Sequence, residues 1–258
     1  MTISKRATHI YGGVLAAIAV VAAALSGCGS SGDSSTIAQT ANPAPVHGTY
    51  SPTIDPANFS TTVDNSYFPL TPGSVSRAQG VAENGKTPQA DRSVVTHQTK
   101  TILGVDTVVV LDTISSRGQP VERTHDWYAQ DTQGNVWYFG EDSFDYKHGH
   151  FVKNSGSWQA GVNGAQPGII MEASPKPGDA YRQEYYPGHA LDQAEVLPSG
   201  GAVQVPYRSF PHTLGTIEHT SLEPDVKEKK WYASGIGEIK SADVSGSHEQ
   251  FQLVSVKP

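Results

Sequence analysis

Val121 to Gln130 (VERTHDWYAQ), Asp131 to Gly134 (DTQG) and Asn135 to Glu141 (NVWYFGE) are the stretch on which the fold class turns. Two runs rich in β-branched and aromatic residues flank a polar stretch ending in Gly, the composition of strand, turn and strand. A four-residue turn at Asp131–Gly134 makes them an antiparallel hairpin. The register it predicts sets Tyr128 opposite Trp137, Asp126 opposite Phe139 and Thr124 opposite Glu141, with Glu122 next along that face. Trp127, Ala129, Val136 and Tyr138 then line the other face. Aromatics on both faces imply a sheet covered on both sides or curled around a cavity.

Outward from this hairpin the same texture continues: short apolar runs broken by Gly, Pro, Asn and Asp, with little period near 3.6. Strands are expected at Ser74–Gly80, Ser93–Ile102, Thr107–Ser115, Ile169–Ala173 and Tyr181–Tyr185, with about four or five more before Val256. A second hairpin, Phe144–Lys153, turns around Lys147-His148-Gly149-His150. Only Ala190–Val196 offers a short helical alternative. The expected class is mainly β: an antiparallel meander forming a strongly curved sheet, a half-barrel or a closed barrel, with little helix after the amino terminus.

The amino terminus is of another kind. Lys5 and Arg6 precede an apolar run from Ile10 to Leu25, and Leu25-Ser26-Gly27-Cys28 follows. This is the layout of a signal peptide, and the run is slightly short for a spanning helix. The tetrapeptide resembles the lipobox of bacterial lipoproteins, which implies cleavage between Gly27 and Cys28 and acylation of Cys28. Cys28 is the only cysteine of the chain. It has no disulfide partner, and a free thiol on an exported protein is an oxidation liability that acylation removes. Two or three acyl chains hold a protein stably at a bilayer, whereas one does not.

Three segments are thus expected: a signal peptide over 1–27, a lipidated cysteine with a flexible Gly/Ser/Thr/Pro-rich tether over 28–57, and one β-rich domain over 58–258. The chain carries 18 Lys and Arg against 25 Asp and Glu. Loss of Lys5 and Arg6 with the signal peptide leaves a formal charge of −9. Such a surface repels phosphate backbones, so nucleic acid is excluded as a partner and membrane contact is expected through the lipid alone.

Several further stretches belong to a recognisable pattern: DWYAQD at 126–131, GNVWYFGE at 134–141, SWQAGV at 157–162, GAQPGIIM at 164–171, YRQEY at 181–185, KWYA at 230–233 and GIGE at 235–238. In these the chain resembles a family of uncharacterised exported bacterial lipoproteins, a resemblance that covers nearly all of the domain and implies no particular activity. A disulfide-free β-rich domain on a lipid anchor is also similar to the half-barrel carriers of the LolA and LolB type. Those close an apolar cavity with helices, of which this sequence offers at most one.

Glu122, Asp126 and Glu141, with Tyr128 and Trp137, form the candidate ligand pocket, because carboxylates framed by aromatics bind sugars and cleave glycosidic bonds. Glu122 and Asp126 are roughly 13 Å apart along one strand, too far for a hydrolytic pair, so only a cross-strand partner such as Glu141 could complete one. The alternative is charges at a sheet rim, paired with Arg123, Arg182 or solvent. His148-x-His150 has a metal-chelating spacing but lacks a clear third ligand beyond Asp145, and an exposed turn is favoured. His189, His212, His219 and His248 are expected at the surface. Trp127, Trp137, Trp158 and Trp231 read as core, or as the lining of an apolar pocket if one face is unfilled.

No Gly-x-Ser-x-Gly elbow and no glycine loop opening a helix is present, so no catalytic residue, metal or cofactor is assigned. The reading is an envelope lipoprotein whose β domain binds an apolar or carbohydrate ligand or an envelope protein without catalysis; the alternative is an envelope carbohydrate hydrolase using the carboxylates of the 122–141 hairpin. Cys28→Ser is expected to abolish palmitate labelling and shift the chain from the membrane to the soluble fraction. Unchanged labelling of that variant would remove the lipoprotein reading.

Overall fold

The structure is a computed structural model that describes residues 42–258. The predicted signal peptide, Cys28 and the predicted tether as far as residue 41 lie outside the described residues.

Within them the chain is almost entirely antiparallel strand. In order the strands are β1 (Phe59–Ser60), β2 (Val75–Val81), β3 (Pro88–Ile102), β4 (Val105–Ser116), β5 (Gln119–Asp131), β6 (Val136–Lys147), β7 (His150–Lys153), β8 (Trp158–Gln159) and β9 (Gln166–Met171). There follow β10 (Ala180–Arg182), β11 (Glu184–Tyr185), β12 (Asp192–Val196), β13 (Gly201–Gln204), β14 (Ser209–Thr220), β15 (Lys227–Ala233), β16 (Gly237–Ser245) and β17 (Gln250–Lys257). The one helical element among the described residues is a single 3-10 turn at Pro56–Asn58, capped by the Asp55 side chain. Ala190–Val196, for which a helix was the alternative, contributes β12, whose residues pair with both β10 and β14.

Pairing runs from β12 through β14, β15, β16 and β17 to β2, and on through β3, β4, β5 and β6 to β9. The circuit then returns through one stretch of chain, because β11 pairs with β9 while β10, just before it, pairs with β12. The result is a nearly closed barrel, as the sequence pattern leads one to expect. Its interior is filled by large buried side chains, among them Tyr128, Tyr138, Tyr181 and Tyr232.

The stretch 180–185 divides its backbone bonds between two neighbours, which leaves β10 with an open edge beside β9. Residues 42–50 occupy it. Pro45 bridges to Tyr181, and the Arg182 amide donates to the Ala44 carbonyl at 2.8 Å. The Arg182 side chain then reaches over the strap, with Nε donating to the Pro45 carbonyl at 2.9 Å and Nη2 to the Val46 carbonyl at 2.8 Å. Its guanidinium also lies over Tyr185 and Tyr50, and the Tyr50 hydroxyl donates to the Pro167 carbonyl at 2.6 Å. Ala44 is fully buried. The flexible tether expected through residue 57 therefore ends sooner. This strap has no large side chain before Tyr50 and is fixed by its backbone carbonyls.

One end of the barrel is closed by the loop between β1 and β2. Its Phe68 and Leu70 are buried, with Tyr67 and Pro69 half-buried beside them, and Phe68 meets the Tyr128 ring edge-on at 5.3 Å. Asn65 fastens the plug, donating through Nδ2 to the carbonyls of Gly134 and Glu172, both at 3.0 Å. The Gly235 amide, in the β15–β16 turn, donates to Ser66. Three turns from distant parts of the chain are thereby held to one loop.

Arg182→Ala removes two charge-assisted hydrogen bonds from a buried seam, and is expected to lower stability by about 2–4 kcal/mol in urea unfolding. It should also open the chain to protease near residue 46. Arg182→Lys cannot span both carbonyls and should recover only part of the loss.

Candidate functional site

β5 and β6 pair as a hairpin, but in a register different from the predicted one. Ala129 stands opposite Trp137 and Tyr128 opposite Tyr138, one residue from the expectation. Beyond that point a bulge adds a second residue of shift, so that Trp127 faces Gly140, Asp126 faces Glu141, Thr124 faces Ser143 and Glu122 faces Asp145. Phe139 is the extra residue. The cause is Gly140, with φ of 121°, against which β8 packs so closely that a Cβ there would lie 2.3 Å from the Trp158 carbonyl oxygen. A glycine inside a strand pattern is the sequence sign of a bulge.

The shift changes who shares a face. Glu122, Asp126, Tyr128 and Glu141 share one face, which is the face turned to the barrel interior, but Trp137 does not lie on it. It points outward, meets Phe59 edge-on at 6.0 Å and donates through Nε1 to Asp131 Oδ2 at 2.8 Å. Tyr138 takes its place inside, stacked on Tyr128 at 4.9 Å with the rings 20° from parallel. Of the other tryptophans, Trp127 lies under Lys100 on the outer face and Trp231 lies between Lys229 and Lys240. Trp158 stands opposite Glu141 on the inner face, edge-on to Tyr138 at 5.4 Å. The tryptophans form no common platform. His148 and His150 are exposed at the β6–β7 turn, where the predicted hairpin is found, and His189, His212, His219 and His248 are exposed as well.

The buried inner wall mixes apolar and polar side chains. Val95, Val108, Tyr128, Tyr138, Val196 and Tyr232 are buried, and so are Asp91 and Ser93 on β3, Asp112 on β4, Asp126 and Thr124 on β5, Glu141 and Ser143 on β6, Glu218 and Thr216 on β14, and Glu228 and Lys230 on β15. These are charged and polar groups where a filled barrel would carry aliphatic ones.

Several are held by neighbours. The Tyr138 hydroxyl donates to Asp126 Oδ1 at 2.8 Å and the Thr124 hydroxyl to Oδ2 at 2.9 Å. Across the interior, Lys230 Nζ lies 2.7 Å from Glu218 Oε2 and 3.5 Å from Glu228 Oε2, while Thr216 and Tyr232 donate to Glu218 Oε1. Burial pushes Glu228 up to about 8, a rise that the Lys230 charge opposes and the Glu218 charge reinforces. Burial likewise lifts Glu238 to about 7 and raises Asp112, which also faces the Asp91 carboxylate. Lys230, despite its burial, is held protonated by Glu218 and Glu228.

Among the buried side-chain atoms that have no hydrogen-bond partner in the described residues are Trp158 Nε1, Gln183 Nε2 and the Tyr181 hydroxyl. Their residues are 4%, 2% and 0% exposed. The sequence reading singled out neither Tyr181 nor Gln183 as site residues; they sit in the strand that closes the barrel, a role visible only once the circuit is traced. Outside the barrel, an open groove of about 580 Å³ is lined by Gln79, Gln89, Arg117, Gln250 and Gln252 among others, and includes none of the predicted residues. No group of three or more His, Cys, Asp or Glu with metal-binding geometry occurs among the described residues.

No protein-family model matches this sequence, and no curated protein matches it significantly. Two solved structures overlap the fold. One is a protein from Bacteroides fragilis described as exported, with a YmcC-like fold: 16% identity, TM-score 0.44, covering 75% of this chain and 99% of that one. The other is a protein from Parabacteroides distasonis described as a lipoprotein: 10% identity, TM-score 0.40, with the same coverage of 75% and 99%. Both descriptions are of the kind the sequence resemblance suggests. Neither overlap is close enough to carry an argument about this chain, and neither bears on the lipobox or on the likeness to LolA and LolB.

The raised carboxyls set a pH dependence. Unfolded, a glutamate gives up its proton near its ordinary value of 4.5, whereas folded Glu228 keeps it to about 8 and Glu238 to about 7. The folded state therefore binds more protons over this window, so their contribution to stability is complete below about pH 4.5 and is lost as pH rises toward 8. The melting temperature is expected to be higher at pH 5 than at pH 8. Glu228→Gln should flatten that slope and raise the melting temperature at pH 8; an equal slope in the variant would place the titrating group elsewhere.

Proposed function

We propose that the chain is an envelope lipoprotein whose barrel binds a small ligand in its interior, without catalysis. The observation that carries this reading is the concentration of charged and polar side chains, among them Asp91, Asp112, Asp126, Glu141, Glu218, Glu228 and Lys230, on the buried inner wall of the barrel. A barrel evolved only for rigidity would hold aliphatic side chains there, because each buried polar group costs free energy unless it finds a partner. The anchor at Cys28 is part of the proposal. Fourteen Cα–Cα steps separate it from Asn42, so the barrel would stand within about 50 Å of the bilayer at full extension.

One observation favours the hydrolase as second reading: Asp126 and Glu141 are direct cross-strand partners, which brings two carboxylates to the short spacing that a glycosidase pair needs. Against it, both oxygens of Asp126 are already engaged by Tyr138 and Thr124.

Native mass spectrometry of the full-length chain, released from its membrane in mild detergent, tests the binding reading. A small molecule retained in addition to the covalent lipids is the expected result. A chain that carries no such adduct in any preparation overturns it. Turnover of a carbohydrate that stops in Asp126→Asn and Glu141→Gln alike would replace it with the second reading.

A further inference from the structure

The chain carries more acids than bases, yet its outer wall is basic where β2 meets β3. Asp91, Asp112, Asp126, Glu141, Glu218 and Glu228 are buried inside. Between Val75 and Val81 on β2, and at the positions of β3 paired with them, no outward side chain is a carboxylate. Arg77 stands directly opposite Arg92 there. The next residues in that row are Ser255 on β17 and Thr113 on β4, both uncharged. Like charges directly opposite one another repel, and among the described residues no ion pair or hydrogen bond engages either guanidinium.

Two residues along the same strands, about 7 Å away, the outer face becomes a groove. Lys240, Gln252, Gln79 and Ala90 form one row across β16, β17, β2 and β3. Gln79, Gln252 and Ala90 line the groove of about 580 Å³ together with Gln89, Gln250 and Arg117. That volume falls within the range of small-molecule sites, about 300–1,000 Å³. Ala90 is exposed and small, which leaves room between the amides. Among the described residues the side chains of Gln79, Gln250, Gln252 and Arg117 make no hydrogen bond or ion pair, and Gln89 Oε1 is buried without a partner.

Free amides beside unneutralised guanidiniums select among anionic ligands. A bilayer surface is flat and would meet the arginines without entering the groove. An extended acidic peptide joins a sheet at its edge, whereas β2 and β3 are internal strands paired on both sides. No aromatic side chain lines the groove to stack a nucleobase. A sugar hydroxyl donates and accepts, as a primary amide does, and a uronate carboxylate takes a guanidinium through two parallel hydrogen bonds.

We propose that this groove, with the Arg77–Arg92 pair beside it, is a binding site for an acidic oligosaccharide whose rings bear carboxylates. The glutamine amides hold its hydroxyls, and the guanidiniums of Arg77, Arg92 and Arg117 hold its carboxylates. Binding also relieves the repulsion between the two opposed arginines. The site lies outside the barrel, so it stands or fails independently of a ligand in the interior.

The test is isothermal titration calorimetry of the full-length chain in mild detergent with trigalacturonate and a hyaluronan tetrasaccharide. Maltotriose, hexaglutamate and dihexanoyl-phosphatidylglycerol are the contrasting probes. Saturable binding of at least one uronate is expected, weakening as sodium chloride is raised and roughly tenfold tighter than that of maltotriose. Arg77→Gln combined with Arg92→Gln should abolish that preference and leave the melting temperature unchanged or higher, since it removes two opposed like charges. Ala90→Tyr places a strand-compatible ring in the groove, should weaken every sugar, and serves if the double variant folds poorly. Absence of uronate binding overturns the proposal, as does uronate binding that both variants leave intact. Hexaglutamate or the short-chain lipid binding as tightly as the uronates overturns it too, in favour of a peptide or a headgroup. A small molecule retained by the double variant in native mass spectrometry would leave the interior reading in place even where the groove fails.

Discussion

A long twisted antiparallel sheet has two edges, and in this protein one short stretch, 180–185, joins them. It gives its first residues to β12 and its last to β9, so no full-length strand bridges the gap. An edge left half-paired exposes backbone donors and acceptors that must be satisfied or covered. Residues 42–50 cover it with their own carbonyls, and Arg182, from within the seam, fastens them there. Planarity matters: one guanidinium bonds two successive carbonyls while its face lies on Tyr185 and Tyr50, which a lysine could not do. The strap is therefore part of the barrel wall, although in sequence it looks like the end of a tether.

Closure at the seam has a consequence for the interior. Once the circuit is complete and the 61–73 loop plugs one end, every inward side chain on β3, β4, β5, β6, β14 and β15 faces the same space. Carboxylates that would be unremarkable on a solvated sheet are brought within reach of one another, and burial with mutual repulsion raises several of them. Lys230, with Glu218 and Glu228, is the compensating ionic group of the far wall. Such clusters cost desolvation energy that apolar side chains of equal volume would avoid. They are concentrated on one side of the sheet, while the outer face carries Trp127, Trp137 and Trp231.

The register of the β5–β6 hairpin shows where a reading of residues reaches its limit. Strand, turn and strand were legible, because local composition and the Asp131–Gly134 turn are local facts. The pairing was off by one residue at Trp137 and by two at Glu141. Gly140 carried the hint of a bulge, yet the force behind it is the β8 backbone, eighteen residues later in the chain, lying where a Cβ would be. Asp126 and Glu141 fell on the predicted face because two successive one-residue shifts restore the parity of a strand; Trp137, between them, fell on the opposite one.

From its sequence alone the chain determined its β class, its turns, the aromatic and carboxylate make-up of its central hairpin, and an amino terminus whose pattern resembles a lipobox. These follow from local propensity and from a two-residue period that needs no partner to be read. Only the tertiary structure decided which face of each strand is inside, that Tyr138 and not Trp137 stands beside Tyr128, and that Trp158, Tyr181 and Gln183 are left with unpaired donors. Each of those depends on backbone hydrogen bonds between residues far apart in the chain, and above all on closing the circuit at Arg182, which no local pattern encodes.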